Sequence, residues 1–314
     1  MGWWRRRSRC SEPAVAPGAY SAACHHKRVS DLAVGTAQWG AAYGVTNTVG
    51  RLTDFDVEQI MAAATAAGIK EFDTAAAYQD AQLRLRPWAA QLQITTKVSG
   101  ADPRSILGQV TDSLSALGCS KVHTVLLHDW EALPVGTRGK AVAELRKVQE
   151  ANLVVRVGVS VYDEVGLTWA AEAFGDLGAV QVPANALDRR LDASVVLKSL
   201  RAGGTQVQVR SAFLQGLLAA PTTTGLGLHP DVKIFHNAAE EAGQSGLELA
   251  LAHVRALPWA DTIILGVTSA HEIAEIIRVW DQVPAASAPP VLASSDLSLI
   301  DPRSWGEIPA RLQP

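Results

Sequence analysis

Short, almost wholly apolar segments alternate with longer helical ones along this chain, and this alternation constrains the fold more than any other feature. Segments that are apolar at nearly every position are typical of parallel strands covered on both faces. The predicted strands are residues 32–36, 69–73, 93–97, 122–127, 154–160, 179–182, 206–210 and 262–266. The predicted helices are residues 54–67, 104–117, 138–150, 164–174, 193–201, 238–257 and 270–280, with a short one at 84–91 that Pro87 interrupts.

Two architectures fit eight strands that alternate with helices: a closed (β/α)8 TIM barrel and a doubly wound open sheet. An open sheet that binds a dinucleotide carries G-x-G-x-x-G directly after its first strand. Here the first strand leads into Gly35-Thr-Ala-Gln-Trp-Gly40, and the G-x-G at Gly225 follows no predicted strand. The sequence therefore predicts an α/β barrel as one domain over residues 30–314. We expect residues 1–29 to form a disordered N-terminal tail outside it, and residues 284–314 to form a C-terminal tail near the barrel mouth.

Composition excludes several classes of protein. The 314 residues include 28 basic and 31 acidic side chains, so the basic excess of a nucleic-acid binder is missing. No run of about 18 apolar residues is free of charges, which argues against a membrane span. The three cysteines form neither a C-x-x-C pair nor a metal-binding spacing. We expect a cytoplasmic protein, monomeric or a small homo-oligomer, with no metal and with neither nucleic acid nor membrane as a partner.

Ionisable side chains follow three successive predicted strands at the points where the strands end. They are Asp73 with the nearby Tyr78, then Lys97, then His128. The carboxyl ends of barrel strands meet at one mouth, so these four groups should lie together. A phenol is a weak acid at neutral pH, and we expect the neighbouring ammonium to lower its pKa while a carboxylate holds that ammonium. An imidazole can orient a carbonyl oxygen. The set suits proton donation to a carbonyl that accepts hydride.

These segments, in this order, resemble the aldo-keto reductase family. The resemblance extends over residues 31–280 and rests on Phe72-Asp-Thr-Ala-Ala-Ala-Tyr78, Thr96-Lys97, Leu126-Leu-His-Asp129 and Val157-Gly-Val-Ser160, with further matches after the later strands. It implies a barrel that binds a nicotinamide dinucleotide without a Rossmann domain, and hydride transfer to or from a small-molecule aldehyde or ketone. It implies the catalytic set Asp73, Tyr78, Lys97 and His128, with Tyr78 as the general acid.

The resemblance also implies where the cofactor and the substrate bind. The cofactor-binding residues would be Gly35, Thr36, Ser160, Gln181, Arg210, Ser211, Phe213, Leu214, Gly216, Gly266, Thr268, Ser269, Glu272 and Glu275. Side chains expected to line the substrate pocket are Trp39, Tyr43, Trp130 and Asn185.

The chain departs from the family pattern at positions that bear on the choice of cofactor. Val161 stands where many members have an Asn on the carboxamide, and Gly266 where some carry Lys. Glu272 stands where members that recognise a ribose phosphate carry Arg, and an anion there would repel a 2′-phosphate. The cofactor is thus NADP, as is common in the family, or NAD, which Glu272 and Gly266 favour.

Two other functions stay open at the sequence level. One is a cofactor-binding barrel whose net reaction is not redox, such as an epimerase or a dehydratase. The other is a regulatory or binding barrel without catalysis, which would not need to keep Asp73, Tyr78, Lys97 and His128. The presence of all four favours the enzyme.

Overall fold

A computed structural model describes residues 31–102 and 104–305, and its centre is a closed barrel of eight parallel strands. Each strand pairs with the next in the chain, and the eighth pairs with the first, as at Leu32 opposite Ile263. The predicted (β/α)8 barrel is confirmed. The strands are β1 Asp31–Gly35, β2 Glu71–Asp73, β3 Gln93–Val98, β4 Val122–Leu127, β5 Val154–Ser160, β6 Ala179–Pro183, β7 Gln206–Arg210 and β8 Thr262–Gly266.

Helices follow the strands and cover the outside of the barrel with their apolar faces. In the helix after β3, for example, Val110 and Leu117 are fully buried against the core. The α-helices of the described residues are α1 Ala37–Gly40, α2 Asp54–Ala66, α3 Ala81–Leu85, α4 Ile106–Leu117, α5 Val135–Glu150, α6 Glu164–Phe174, α7 Val195–Ala202, α8 Pro230–Glu241, α9 Gly246–Arg255, α10 Ala270–Gln282 and α11 Leu297–Ile300. None of them is long and apolar enough to cross a membrane.

The single helix predicted over residues 238–257 is wrong, because the structure has two helices there. Gly243 adopts a left-handed conformation with φ of 67°, which ends α8. Ser245 and Glu248 then form a capping box that begins α9. The Gly-Gln-Ser-Gly sequence of residues 243–246 was the signal that one helix ends and another begins here. The predicted helix at 84–91 is likewise divided into α3 and a 3₁₀ turn, Arg86–Gln91, whose second residue is Pro87.

The chain beyond α10 runs along the carboxyl ends of the strands. Arg190, in the loop after β6, forms an ion pair with Asp301 at 3.1 Å. Arg303 pairs with Asp163 at 2.9 Å and also with Glu131. These contacts fix residues 301–303 beside the loops that follow β4, β5 and β6. The predicted N-terminal tail, residues 1–29, and the last part of the predicted C-terminal tail 284–314, residues 306–314, lie outside the described residues.

Acid should lower the free energy of unfolding through His253 of α9, which contacts the chain beyond α10. His253 is buried, and its Nδ1 accepts a hydrogen bond from the Ala288 amide at 3.3 Å. Burial lowers the pKa of His253 from 6.5 to about 4. The unfolded chain therefore takes up the proton first, so the free energy of unfolding falls as pH drops from 6.5 to 4 and levels off below. We expect His253→Gln to reduce the stability difference between about pH 7.5 and pH 5 by about 2 kcal/mol, measured by urea unfolding.

Exposed His271 provides the control for this measurement. His271→Gln should leave the difference between the two pH values as it is in the unmodified chain, because an exposed imidazole makes no comparable buried contact. Equal pH dependence in both variants would show that His253 does not control acid stability.

Candidate active site

The four residues predicted as the catalytic set meet at the carboxyl end of the barrel. Lys97 Nζ on β3 donates to Asp73 Oδ2 on β2 at 2.5 Å and to the Tyr78 hydroxyl at 3.2 Å. The His128 ring lies edge-on to the Tyr78 ring, with 6.0 Å between centroids and 82° between planes. Asp73 and Lys97 are almost completely buried, so their ion pair is shielded from water.

The polar interior continues across the barrel from Asp73. Gln181 Nε2 donates to Asp73 Oδ1 at 2.8 Å and to Gln208 Oε1 at 3.2 Å. Gln208 Nε2 in turn donates to Thr95 Oγ1 at 2.9 Å. Gln208 and Thr95 were not singled out in the sequence. Each lies two residues before a predicted site residue, Arg210 or Lys97, and period-two alternation places both on the same face of the strand as that residue.

The backbone at Gly40 passes close to the backbone of Tyr78 and restricts its position. Gly40, at the end of α1, lies so close to the Tyr78 carbonyl that a Cβ at residue 40 would be 1.9 Å from its oxygen. Gln79, directly after Tyr78, has φ of 53°, a left-handed conformation that is uncommon outside glycine. The loop after β2 thus turns sharply at the residue directly after the one that carries the phenol.

Burial controls the protonation of this cluster. It raises the pKa of Tyr78 well above its usual value, with a further rise from the Asp73 carboxylate, which Arg210 opposes. Burial also lowers the pKa of Lys97, while Asp73 acts to raise it. The expectation of a lowered Tyr78 pKa is therefore wrong, because desolvation of the phenolate and the Asp73 carboxylate outweigh the positive charge of Arg210. Tyr78 holds its proton at neutral pH.

His128 is neutral in this environment. Burial, together with the positive charges of Lys97 and Arg210, lowers its pKa to about 3. A neutral imidazole can donate or accept one hydrogen bond at each nitrogen, but it does not supply a proton at physiological pH. Tyr78 and His128 are thus both neutral groups beside the buried ion pair of Asp73 and Lys97.

A cavity of about 230 Å³ extends from Tyr78 and Asp73 to Thr268 and Glu272 at the end of β8. Nine of the predicted cofactor-binding residues line it: Gly35, Gln181, Arg210, Ser211, Phe213, Gly216, Gly266, Thr268 and Glu272.

The other five predicted cofactor-binding residues do not line this cavity. Thr36 is fully buried and donates to the Asp73 carbonyl oxygen at 3.1 Å. Ser269 caps α10 by accepting from the Glu272 amide, and Glu275 is exposed on that helix. Ser160 and Leu214 are buried and do not line the cavity.

Twelve lining residues were missed in the sequence, and five of them belong to the loop between α1 and α2. Thr46 Oγ1 donates to the Gln215 carbonyl oxygen at 3.2 Å, and Gln215 Nε2 donates to the Tyr43 hydroxyl at 3.3 Å. These bonds join the loop after β1 to the loop after β7 over the cavity. The loop after β1 could have been predicted to line the cavity, because the sites of such barrels lie at the carboxyl ends of the strands. The missed residues are Ala37, Gln38, Gly44, Thr46, Asn47, Thr48, Val49, Ala212, Gln215, Ala219, Ile264 and Leu265.

Backbone strain is concentrated at this site. Of the five non-glycine residues with positive φ in the described ranges, four lie in the loops that border the cavity: Gln79, Ser211, Leu214 and Gln215. A left-handed conformation costs a bulky residue about 1 kcal/mol or more, and such residues cluster at functional sites. Gly216, with φ of 96°, completes the turn, and a Cβ there would be 1.8 Å from Thr46 Oγ1.

Three of the four side chains predicted to line the substrate pocket are in the core instead. Trp39 and Trp130 are each 0% exposed. Trp39 packs edge-on against Phe72, and Trp130 donates to the Gly166 carbonyl oxygen at 3.0 Å. The two tryptophans follow strand ends, which is why they were predicted to line a pocket. Burial of their apolar rings places them in the core instead.

Asn185 is also fully buried, and its side chain accepts from two backbone amides of its own loop and donates to the Ser211 carbonyl oxygen. It therefore stabilises the loop after β6 instead of facing a substrate. Tyr43 does line the cavity.

Glu272 lies at the far end of the cavity, in the first turn of α10. Its Oε2 accepts from the Thr268 amide at 2.6 Å and from Thr268 Oγ1 at 2.8 Å. A Cβ at Gly266 would be 2.4 Å from Gln38 Nε2, so a lysine at 266 would require Gln38 to move. The acidic side chain and the absent lysine thus leave this end of the cavity anionic.

The closed barrel, with a buried Asp-Lys-Tyr cluster and a neutral histidine at its carboxyl mouth, defines the class: a (β/α)8-barrel protein with its site on the loops after the strands. A family model described as "Aldo/keto reductase family" matches residues 31–287. The chain belongs to the aldo/keto reductase family.

Individual relatives agree with this assignment. An aldo-keto reductase of Mycolicibacterium vanbaalenii is 32% identical over 143 residues, which cover 41% of this chain and 51% of that protein. The matched part thus spans about half the length of that curated relative. The holo form of an aldo-keto reductase from Bacillus halodurans has a TM-score of 0.66 with 18% identity, over 85% of this chain and 93% of that one. At this identity the likeness shows the fold alone.

Proposed function

We propose that this chain is a nicotinamide-dependent oxidoreductase that interconverts an aldehyde or ketone and the corresponding alcohol, with Tyr78 as the general acid. The observation that carries the proposal is the position of Lys97 Nζ, which contacts the Asp73 carboxylate and the Tyr78 hydroxyl at once. A binding-only barrel has no need of a buried ion pair aimed at a phenol, because such a pair is costly to desolvate.

In this proposal each residue has one task. Tyr78 holds a proton at its hydroxyl because burial keeps its pKa high. As that proton moves to the carbonyl oxygen, Lys97 already donates to the phenol oxygen and stabilises the charge that develops there. Asp73 keeps Lys97 charged, and neutral His128 orients the carbonyl by a hydrogen bond.

The cavity residues fit a nicotinamide dinucleotide. Gln38 Oε1 is buried beside Gly266 without a hydrogen-bond partner among the described residues, so it can accept from a bound group. Gly35, Gly216 and Gly266 keep the wall free of side chains where a ligand backbone must approach closely. When bound, the dinucleotide supplies the hydride. Gln181, Arg210, Ser211 and Thr268 are the polar side chains that would contact it or the substrate.

Titration with NADH and NADPH, followed by quenching of tryptophan fluorescence, tests the proposal. Turnover with a panel of simple aldehydes is then measured at saturating cofactor. We expect sub-millimolar Kd for at least one cofactor and reduction of at least one aldehyde. Absence of binding by both cofactors would refute the redox function, whereas binding without turnover of any carbonyl would support a non-redox reaction on the same barrel.

Cofactor choice gives a separate prediction. Glu272 is expected to disfavour a ribose 2′-phosphate by charge repulsion, so the protein should prefer NADH. Glu272→Arg should lower the Kd for NADPH relative to NADH by about 10-fold, which corresponds to about 1.4 kcal/mol. Glu272→Gln is the matched control, since it removes the charge but adds none, and should give a smaller shift in the same direction. An unchanged NADPH-to-NADH ratio in both variants would place the ribose away from α10.

A further inference from the structure

A row of buried hydrogen bonds crosses the barrel interior next to the cavity. Gln181 Nε2 on β6 donates to Asp73 Oδ1 on β2 at 2.8 Å and to Gln208 Oε1 on β7 at 3.2 Å. Gln208 Nε2 donates to Thr95 Oγ1 on β3 at 2.9 Å. All four side chains are buried, and of the four only Asp73 and Gln181 line the cavity. Gln208 and Thr95 can therefore act on a ligand only through Gln181.

The direction of each hydrogen bond in this row is fixed from Asp73. Asp73 forms an ion pair with Lys97, and a carboxylate can only accept hydrogen bonds, so Gln181 must present its NH₂ group to it. The second hydrogen of that NH₂ group goes to Gln208, which must therefore present its amide oxygen. The NH₂ group of Gln208 is then left for Thr95, whose hydroxyl oxygen accepts. One carboxylate thus sets the orientation of two amides.

Both N–H groups of the Gln181 side chain are used inside the barrel, which leaves only its oxygen for a ligand. Gln181 Oε1 accepts no hydrogen bond within residues 31–102 and 104–305, and Gln181 lines the same cavity as Tyr78. A ligand group that binds this oxygen must therefore be a donor. The pyrophosphate of a nicotinamide dinucleotide has no donor at neutral pH, whereas the carboxamide on the nicotinamide ring has an NH₂ group.

Gln208 is a polar residue in a place that barrels usually fill with apolar side chains. Interior layers of such barrels consist mainly of Val, Ile and Leu, which bring no buried polar atoms that need partners. Leucine at 208, however, would leave one buried N–H of Gln181 without its acceptor. The Gln181 amide would then gain by turning that N–H toward the cavity, where a ligand or water can accept from it. Gln208 thus opposes a rotation that presents a donor instead of an acceptor to the ligand.

We propose that Gln208, itself held by Thr95, is a positioning residue that keeps the Gln181 oxygen facing the ligand, where it accepts from the carboxamide NH₂ group of the cofactor. The inference rests on the proposed function and gives two residues outside the cavity a role in it. A carboxamide held in this way restricts rotation of the nicotinamide ring, so the row of hydrogen bonds contributes to orienting the group that supplies the hydride.

The 3-acetylpyridine analogue of the dinucleotide tests the proposal, because a methyl group replaces the carboxamide NH₂ group and the donor is lost. Kd values for the natural dinucleotide and its analogue are measured by quenching of tryptophan fluorescence, with NAD⁺ or NADP⁺ according to which binds. We expect the unmodified protein to bind the analogue about 10-fold more weakly, and in Gln208→Leu this ratio should fall below about three-fold. A merely structural role of Gln208 would change both Kd values alike and leave their ratio as it was.

Two further variants test the chain of contacts itself. Gln208→Glu, whether ionised or protonated, keeps an oxygen that accepts from Gln181, so it should retain a ratio of about 10-fold. Thr95→Val has nearly the same size as the original residue and removes the acceptor of Gln208. It should lower the ratio by a smaller amount than Gln208→Leu, and it provides the test if Gln208→Leu does not fold.

Gln82 provides the matched control. Its side chain is also buried and donates to two hydroxyls, Thr96 Oγ1 at 2.7 Å and Ser113 Oγ at 3.2 Å, but it does not line the cavity. Gln82→Leu should lower the free energy of unfolding and leave the ratio of the two Kd values unchanged.

An unchanged ratio in Gln208→Leu and Thr95→Val, or in Thr95→Val alone if the other does not fold, overturns the inference and leaves the proposed function intact. A ratio close to one in the unmodified protein also overturns it, because Gln181 then does not accept from the carboxamide. Failure of the unmodified protein to bind either NAD⁺ or NADP⁺ refutes the proposed function itself.

Discussion

Tyr78→Phe is expected to lower kcat by about 10²- to 10⁴-fold while the Kd for the dinucleotide stays within about two-fold. The substitution removes only the hydroxyl oxygen that Lys97 contacts at 3.2 Å, and it keeps the ring that packs against His128. Because burial keeps the Tyr78 pKa high, the loss should persist across the neutral pH range. Single-turnover measurements with cofactor bound separate the proton-transfer step from product release.

The chain offers a matched control for this experiment in Tyr43. Its hydroxyl also faces the cavity and its pKa is also raised by burial, but it accepts a hydrogen bond from the Gln215 amide instead of from a lysine. Tyr43→Phe should change kcat by less than about ten-fold, since one neutral hydrogen bond is worth about 0.5–1.5 kcal/mol. Equal losses in the two variants would show that position in the cavity, and not the lysine contact, determines the effect.

Asp73→Asn is expected to cost both activity and stability. Asp73 accepts hydrogen bonds at each carboxylate oxygen, from Lys97 on one and from Gln181 on the other. An asparagine must turn its NH₂ group toward one of these two donors, so one bond becomes a donor–donor conflict. The buried Lys97 ammonium also loses its counter-charge, and breaking a buried ion pair costs about 3–5 kcal/mol. Urea unfolding should show a loss of this size, and kcat should fall by about 100-fold or more.

The double variant Asp73→Asn with Lys97→Met distinguishes the two effects. Removing the ammonium as well eliminates the unpaired charge, so part of the lost stability should return. Activity should not return, because the phenol then has no cationic partner as its proton leaves. Recovery of turnover in the double variant would contradict the role assigned to Lys97.

The sequence sufficed for the fold and for grouping Asp73, Tyr78, Lys97 and His128 at one end of the barrel. Four predicted strands, 122–127, 154–160, 206–210 and 262–266, have the same bounds in the structure. Apolar runs that are buried on both faces leave little freedom of assignment, and helix breaks at Gly68 and Gly118 follow from local backbone preference. Asp73, Lys97 and His128 could be grouped because parallel strands of a barrel all end at one mouth.

Prediction failed where burial competes with sequence position. Trp39 and Trp130 follow strand ends as pocket residues do, yet they fill the core, and only three-dimensional packing distinguishes the two outcomes. The same competition determined the pKa values of the side chains in the site. The sequence predicted a lowered pKa for Tyr78, but desolvation of the buried phenolate raises it.

The sequence by itself determined the barrel and the residues at its mouth, because periodicity and strand ends are local properties of the chain. Only the tertiary structure decided which of those residues share a cavity and which are charged. It joined Thr46 to the Gln215 backbone, 169 residues away, and linked Asp73 to Thr95 through Gln181 and Gln208. It also left Arg210 without a carboxylate partner while Arg303 has three. Charge balance and pKa depend on distance and burial between segments remote in sequence, and no local pattern encodes those.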